Sequence, residues 1–427
     1  MTRSTAGEQA SSRRGPETVM AALTEHERWR RETLNLIASE NALSPAVRSA
    51  LNNDLLQRYA DYPGRDLNAR RYRGNRFIAE IERETARLAS EVFRARWVEL
   101  RPLAGHLAGL AVILGVCRPH DLVLEFGRDG GGHREAGRFT TLQLIPLEVK
   151  NLPFDGRAYN VDLSAAVRLI DETQPRLVIL GSSNFLFPHP VAEIAAAVHR
   201  YPGAVLAYDA SHVMGFLAAA RFQDPLREGA DIVFGSTHKT FPGPQGGIIF
   251  SERQDMIEAV SNALVPALVT NHHPFRMPAL AMALVEMRIW GQAYTEQIVE
   301  NSQRLGKELD GRGIPVVCVN GCYSASHILL LSVANFGKAE EVAVRLETAG
   351  IMTTSTLLPE AHGVEGIRIG TQEITRLGAT ETHMPHIADL IADAIRASRP
   401  VESIAQAVRT LTRSLGPVHF TWGDRQP

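Results

Sequence analysis

The chain has 427 residues, 44% hydrophobic and 22% charged, and its 45 Lys and Arg against 47 Asp and Glu give a net charge of −2. That length is enough for about two to four domains with a large core, and the near-neutral balance excludes bulk attraction to nucleic acid or to an anionic membrane. Cys117, Cys318 and Cys322 are too few and too oddly numbered for a secreted disulfide framework, so a reducing cytoplasm is the expected compartment.

Residues 1–20 begin MTRSTAGEQASSRRGPE, which lacks the apolar stretch of a signal peptide and reads as a disordered lead-in. An N-terminal arm with a helix is expected over residues 21–55, then a large domain over 56–292. From Trp97 to Glu252 short apolar runs alternate with amphipathic ones. Strands are expected at WVELRPL, DLVLEF, LQLIPLEV, RLVILGSS, AVLAYDASH, DIVFGSTHK and GGIIFSE, with helices at Gly105–Cys117, Val161–Glu172 and Pro190–Tyr201. Such alternation predicts a mostly parallel sheet covered on both faces, with its chemistry beyond the carboxyl ends of the strands. The longest apolar stretch, Leu107–Cys117, has 11 residues and is too short to span a bilayer.

A smaller α/β domain is expected over residues 293–415. It comprises a charged helix (TEQIVENSQRLGKELDGRG), strands IPVVCVN and HILLLSV, helix KAEEVAVRLETAG, strand EGIRIGT and a closing helix near His383–Ala397. Residues 416–427 read as an irregular tail.

The segment GSTHKTFPGPQGG places Lys239 just after an apolar strand and before a turn dense in Gly and Pro. A partly desolvated amine there can lose its proton and attack a carbonyl; from spacing alone, a surface lysine in a polar loop is the better fit. Asp209 and His212 end another expected strand. A carboxylate at that place either keeps a pyridinium nitrogen protonated, as pyridoxal phosphate requires, or caps a helix. The turn Ala104-Gly105-His106 opens a helix, whose free N–H groups and dipole suit a phosphate. Neither Cys318 with Cys322 nor the adjacent His272 and His273 has a zinc spacing, so no catalytic metal is expected.

Five blocks then fall in an order that resembles the serine hydroxymethyltransferases. They are Leu36-Ile37-Ala38-Ser39-Glu40-Asn41 with Ser44-Pro45, Tyr59-Ala60-Asp61-Tyr62-Pro63-Gly64, Asp209-Ala210-Ser211-His212, Ser236-Thr237-His238-Lys239-Thr240 and Gly366-Ile367-Arg368-Ile369-Gly370-Thr371. The resemblance covers roughly residues 30–400. It implies the fold-type-I, aspartate-aminotransferase-like architecture with pyridoxal 5'-phosphate as cofactor, and a homodimer with active sites at the subunit interface. It also implies aldol-type cleavage of the Cα–Cβ bond in β-hydroxy amino acids. By the same resemblance Lys239 is the Schiff-base lysine, Asp209 the pyridinium partner, and His212 a residue beside the cofactor. Ser183, Ser236 and His238 fall in cofactor-contacting blocks, Arg368 clamps the substrate carboxylate, Ser39 is a second carboxylate contact, and Tyr59 is donated by the partner subunit.

The departures from the family are informative. Asp61 stands where the family has Glu, and Arg73 replaces a tyrosine next to Tyr72. The Ser-Gly-Ser phosphate cup becomes Ala104-Gly105-His106, and Gly130 takes the place of the histidine that stacks on the cofactor ring, with His133 nearby as its substitute. Asn271-His272-His273-Pro274 replaces a Gln-Gly-Gly-Pro loop, and the folate-contacting stretch is shortened to TTSTLLPEAHGVEG. Arg65, Arg70, Arg71, Arg73, Arg128 and Arg134 are available either to an anionic acceptor or to solvent. Changes clustered around the one-carbon carrier, with Lys239, Asp209 and Arg368 intact, point to a folate-independent threonine aldolase or transaldolase with Asp61 or His133 as the base. The alternatives are a folate-using serine or α-methylserine hydroxymethyltransferase and a non-catalytic cofactor-binding scaffold.

Overall fold

The computed structural model describes residues 6–422, residue 129 apart. Its centre is a seven-stranded sheet made of Trp97–Glu99, Leu122–Phe126, Glu148–Leu152, Leu177–Leu180, Val205–Asp209, Ile232–Ser236 and Gly247–Ser251. Across the sheet the strands beginning at residues 97, 247, 232, 205, 177, 122 and 148 follow one another. The last five of these pair in parallel, whereas Gly247–Ser251 runs antiparallel to both of its neighbours. Period-two alternation sends Val178, Leu180, Leu206, Tyr208 and Val233 into one core and Leu177, Ile179, Val205, Ala207, Ile232 and Phe234 into the other. Both faces are therefore buried, as the near-continuous apolar runs predict.

One expected strand moves. LQLIPLEV is irregular through Pro146, and the ladder begins only at Glu148, which pairs with Leu122. This edge strand, EVKNL, is largely polar and solvent-facing, so it carries no apolar signal.

The helix Arg276–Gly311 passes through the expected boundary between the domains. Its first half packs Leu280, Leu284 and Tyr294 on the large core; Leu305 and Leu309 enter the smaller one. The smaller core lies under an antiparallel sheet of Ile328–Ser332, Glu365–Gly370 and Thr354–Leu357, with Glu365–Gly370 in the middle. IPVVCVN gives only isolated bridges from Val316 and Val319. Pro315 removes a donor, and the Asn320-Gly321 turn reverses the chain at once. Leu34–Asn35 pairs with Ile351–Met352, so Leu34 and Leu36 belong to the smaller core. The N-terminus departs from the expected disordered lead-in: a helix spans Ala6–Arg31, and residues 1–5 lie outside the described range. Another helix, Val401–Ser414, buries Ile404, Val408 and Leu411. No helix among the described residues is long and apolar enough to cross a membrane.

Candidate active site

Three strands of the large sheet and one of the smaller sheet deliver the polar groups. Ser236 ends its strand, and hydrogen bonds hold the turn that follows. Thr237 Oγ1 donates to the Pro244 carbonyl at 2.7 Å, Gly243 N donates to the Thr237 carbonyl at 3.0 Å, and Thr240 Oγ1 donates to the His212 carbonyl at 2.9 Å. Asn41 Nδ2 donates to the Lys239 carbonyl at 2.6 Å and to Tyr294 Oη at 2.9 Å, tying the N-terminal arm to the lysine. Burial then brings the Lys239 amine down to about 8, against the opposing pull of Asp209.

Asp209 sits at the carboxyl end of its strand and accepts from Ser211 N at 2.9 Å. Burial raises its carboxyl, the nearby Glu135 raises it further, and the Lys239 cation opposes both. Thus the residue does not cap a helix; it faces the lysine. His212 is buried, its Nδ1 has no partner, and its ring lies parallel to that of His327 at 5.7 Å. Burial, followed by the cations Lys239 and Arg368, holds His212 neutral. His238 is also unpartnered at Nδ1 and is held down to about 4 by burial.

Arg368 comes from the middle strand of the smaller sheet and donates through Nη1 to the Ser183 carbonyl at 2.7 Å. Its buried Nε has no partner, and burial lowers the guanidinium to about 10. Ser39 adjoins the same strand, because Gly370 N donates to the Leu36 carbonyl at 2.8 Å and Gln372 Nε2 donates to the Glu40 carbonyl at 2.6 Å. Ser39, Asn41, His238 and Gln245 line a cleft of about 690 Å³ that reaches the helix Ala6–Arg31.

Gly105 opens the helix Gly105–Val116, and no side chain caps that end. A Cβ on Gly105 would lie 2.3 Å from Ser236 Oγ and 2.9 Å from Ser236 N, so only glycine lets the helix end approach the strand. Ala104 is extended, and His106 contributes an unpartnered Nδ1. The helix end thus offers orphan N–H groups, a hydroxyl and an imidazole, a donor set for a phosphate dianion.

Glu135 is not among the residues that the sequence points to. It is buried and accepts from His133 Nδ1 at 2.6 Å, which raises the imidazole above its ordinary value. Arg138 Nη1 lies 3.3 Å from His133 Nε2. The His106, His133 and Glu135 ligand atoms fall within 4.8 Å of one another. Both nitrogens of His133 are engaged, however, and the adjoining guanidinium repels a cation. At Gly130 a Cβ would lie 2.9 Å from the Phe126 ring and 3.1 Å from that of Phe154, so the phenylalanines leave no room for a side chain.

The remaining expected residues lie apart from this cluster. Tyr59 and Tyr72 are exposed and pack ring to ring at 5.1 Å, and Arg73 is exposed beside them. Asp61 has a buried Oδ1 without a partner. Their loop is anchored to the Asn271 segment, with Ala60 N donating to Asn271 Oδ1 at 3.4 Å, and none of these groups acts on Lys239. Arg70 pairs with buried Glu82, which also holds His272, and Arg65 donates to the Val98 carbonyl at 3.0 Å.

A serine hydroxymethyltransferase family model matches residues 14–391. A serine hydroxymethyltransferase from Methanopyrus kandleri is 40% identical over 413 residues, 95% of each chain, and one from Saccharolobus islandicus is 39% identical over 93% of this chain and 92% of its own. The chain belongs to the serine hydroxymethyltransferase family. It is also similar in structure to an L-threonine transaldolase from Pseudomonas fluorescens in its internal aldimine state, with TM-score 0.90 and 27% identity over 98% of this chain and 96% of that one. The family and this neighbour make the chain a fold-type-I, pyridoxal-phosphate-dependent enzyme of aldol-type chemistry. The pocket fits that cofactor: the Gly105 cradle suits the phosphate, the buried Asp209 suits the ring nitrogen, and the low-pKa Lys239 suits the aldehyde.

Proposed function

We propose that this enzyme is a folate-independent threonine transaldolase, which moves a glycyl unit from a β-hydroxy amino acid to an acceptor aldehyde. The observation that carries this reading is the rebuilt wall of the pocket. By the resemblance Gly130 takes the place of the family's stacking histidine; Phe126 and Phe154 crowd that position, and His133, held by buried Glu135, is the imidazole that Asp209 acts on. The likeness to the transaldolase over nearly the whole chain supports the same reading. The names of the 37–40% identical relatives favour a second one, hydroxymethyl transfer with a folate.

In this reading Lys239 is the attachment point of the cofactor, and Ala104, Gly105, His106 and Ser236 hold its phosphate. Ser183, His212 and His238 border it. When bound, the cofactor's protonated ring withdraws the electron pair left on Cα. Asp209 keeps the proton on the ring nitrogen. Arg368 takes the substrate carboxylate through its planar fork, with Ser39 as a second donor. His133, oriented by Glu135 at Nδ1, takes the proton of the β-hydroxyl at Nε2, in place of its 3.3 Å contact with Arg138, as the Cα–Cβ bond breaks and the aldehyde leaves. It returns that proton to the new alkoxide when the acceptor is attacked. Tyr59, Asp61, Tyr72 and Arg73 act across a homodimer interface, on the site of the partner subunit.

Aldehyde release from L-threonine, with and without an acceptor panel, tests this beside L-serine with tetrahydrofolate. Acetaldehyde matched by a new β-hydroxy amino acid supports transaldolation. Turnover only with serine and tetrahydrofolate would replace it with hydroxymethyl transfer.

A further inference from the structure

A second cleft, of about 300 Å³, opens on the outer side of His133 and is lined by Arg128, Arg134 and Arg138 over the small residues Gly132 and Gly137. Arg128 and Arg138 are exposed and Arg134 is half-buried, so three guanidiniums of one short segment converge where the cleft meets solvent. Buried Arg101 and Arg376 have carboxylates, Glu99 and Glu286, whereas buried Arg276 has backbone carbonyls. No ion pair among the described residues includes Arg128, Arg134 or Arg138. The Nε of Arg134 is buried without a partner, and that residue adopts the left-handed conformation, φ +61°. A Cβ on Gly137 would lie 2.9 Å from both Arg134 Nη2 and Glu125 Oε1, so the guanidinium and that carboxylate converge over Gly137.

The carboxylates beneath are committed. Glu125 accepts from Ala136 N at 3.1 Å and Gly137 N at 2.9 Å and is pushed up to about 7 by burial, against the opposing pull of Arg134, which weakens its charge; Glu135 is held by His133. The cleft also touches the reacting centre through one residue. His133 lines it, donates to Glu135, and acts electrostatically on both Asp209 and His212.

We infer that this cleft is the subsite for an anionic group, a phosphate or a carboxylate, carried by the acceptor aldehyde. This inference rests on the transaldolase reading. Planar guanidiniums bind either anion through paired hydrogen bonds, and an acceptor anchored there presents its carbonyl on the His133 side of the pocket. No covalent step is added; the arginines orient the second substrate.

The test uses the holoenzyme with L-threonine and two pairs of acceptors. Glyceraldehyde 3-phosphate is compared with glyceraldehyde, and succinic semialdehyde with butyraldehyde, so phosphate and carboxylate are distinguished. At least one anionic acceptor should have a KM roughly tenfold or more below its neutral partner. Arg134→Ala should raise that KM by a similar factor and leave the neutral one nearly unchanged. Arg128→Ala, which lines the same cleft without contacting His133, should do the same without touching a left-handed residue, so a misfolded first variant does not void the test. Equal KM values for anionic and neutral acceptors, or variants that shift both alike, would overturn the subsite. Absence of threonine cleavage with every acceptor would overturn the transaldolase reading instead. Inorganic phosphate titrated into enzyme whose cofactor is fixed by borohydride reduction then decides the cleft. Binding that is lost in Arg134→Ala keeps the anion site, and no binding ends it.

Discussion

Gly105→Ala tests the cofactor cradle most directly. The new Cβ would start 2.3 Å from Ser236 Oγ, 2.9 Å from Ser236 N and 3.2 Å from the Gly235 carbonyl carbon. The hydroxyl can rotate away. The backbone cannot, because Ser236 N donates to Ser211 Oγ at 3.1 Å and Ser236 is paired with Gly247 in the sheet. Gly247 is itself packed against the Ala104 carbonyl, 2.4 Å from where its own Cβ would be, so the helix end is pressed from both sides. Relief must come from lifting the first turn of the helix, at a cost of about 1–3 kcal/mol for an overpacked site. That lift moves the N–H groups that would meet the phosphate and turns Ser236 Oγ out of the cradle. If the displacement is felt mainly by the bound state, the cofactor dissociation constant should rise roughly 5- to 150-fold, from the same energy. The assay is titration of apoenzyme with pyridoxal phosphate, followed by absorbance, with circular dichroism to confirm the fold. A variant that folds and binds the cofactor with wild-type affinity would refute the cradle as the phosphate site.

Three other outcomes follow from the same geometry. Lys239 must be neutral to capture the cofactor aldehyde, and burial lowers its amine to about 8; the capture rate should climb roughly tenfold per pH unit below that value and level off above it. A plateau only near pH 10 would mean the amine is solvated, and Lys239→Ala should lose both the cofactor absorbance and turnover. Glu135 raises the His133 imidazole, so Glu135→Gln should lower it. Because the base works deprotonated, the acidic limb of kcat/KM should then move to lower pH while kcat falls; an unmoved limb assigns the base elsewhere. Arg368→Ala removes the only guanidinium at the smaller sheet's middle strand, and the amino-acid KM should rise about 10- to 100-fold, with little rescue by Arg368→Lys because an ammonium lacks the paired donors.

The parts of the site that the sequence discloses are those tied to apolar strands. Val205–Asp209 and Ile232–Ser236 are β-rich runs ending in polar residues, so Asp209, Ser236 and Lys239 could be placed at strand ends before any coordinates. The mostly parallel sheet follows from the same runs. The strand Glu148–Leu152 escapes notice because an edge strand needs no apolar face, and LQLIPLEV draws attention to the wrong residues. Glu135 escapes for a related reason: an acid at a helix start normally reads as solvated, and its burial arises only when His133 and His106 fold over it. The His-x-Glu spacing was the one signal that could have flagged it. The Tyr59–Arg73 loop makes a different point. Its residues match blocks of the family, yet within one chain they contact each other, Asn271 and solvent rather than the groups acting on Lys239. Order along a sequence cannot say whether two blocks meet within a chain or across two. If the loop completes the site of a second copy, Tyr59→Phe and Lys239→Ala, each inactive when made alone, should regain part of their activity when the two are mixed and allowed to exchange subunits. Mixed proteins that stay inactive after exchange would leave Tyr59 outside the site.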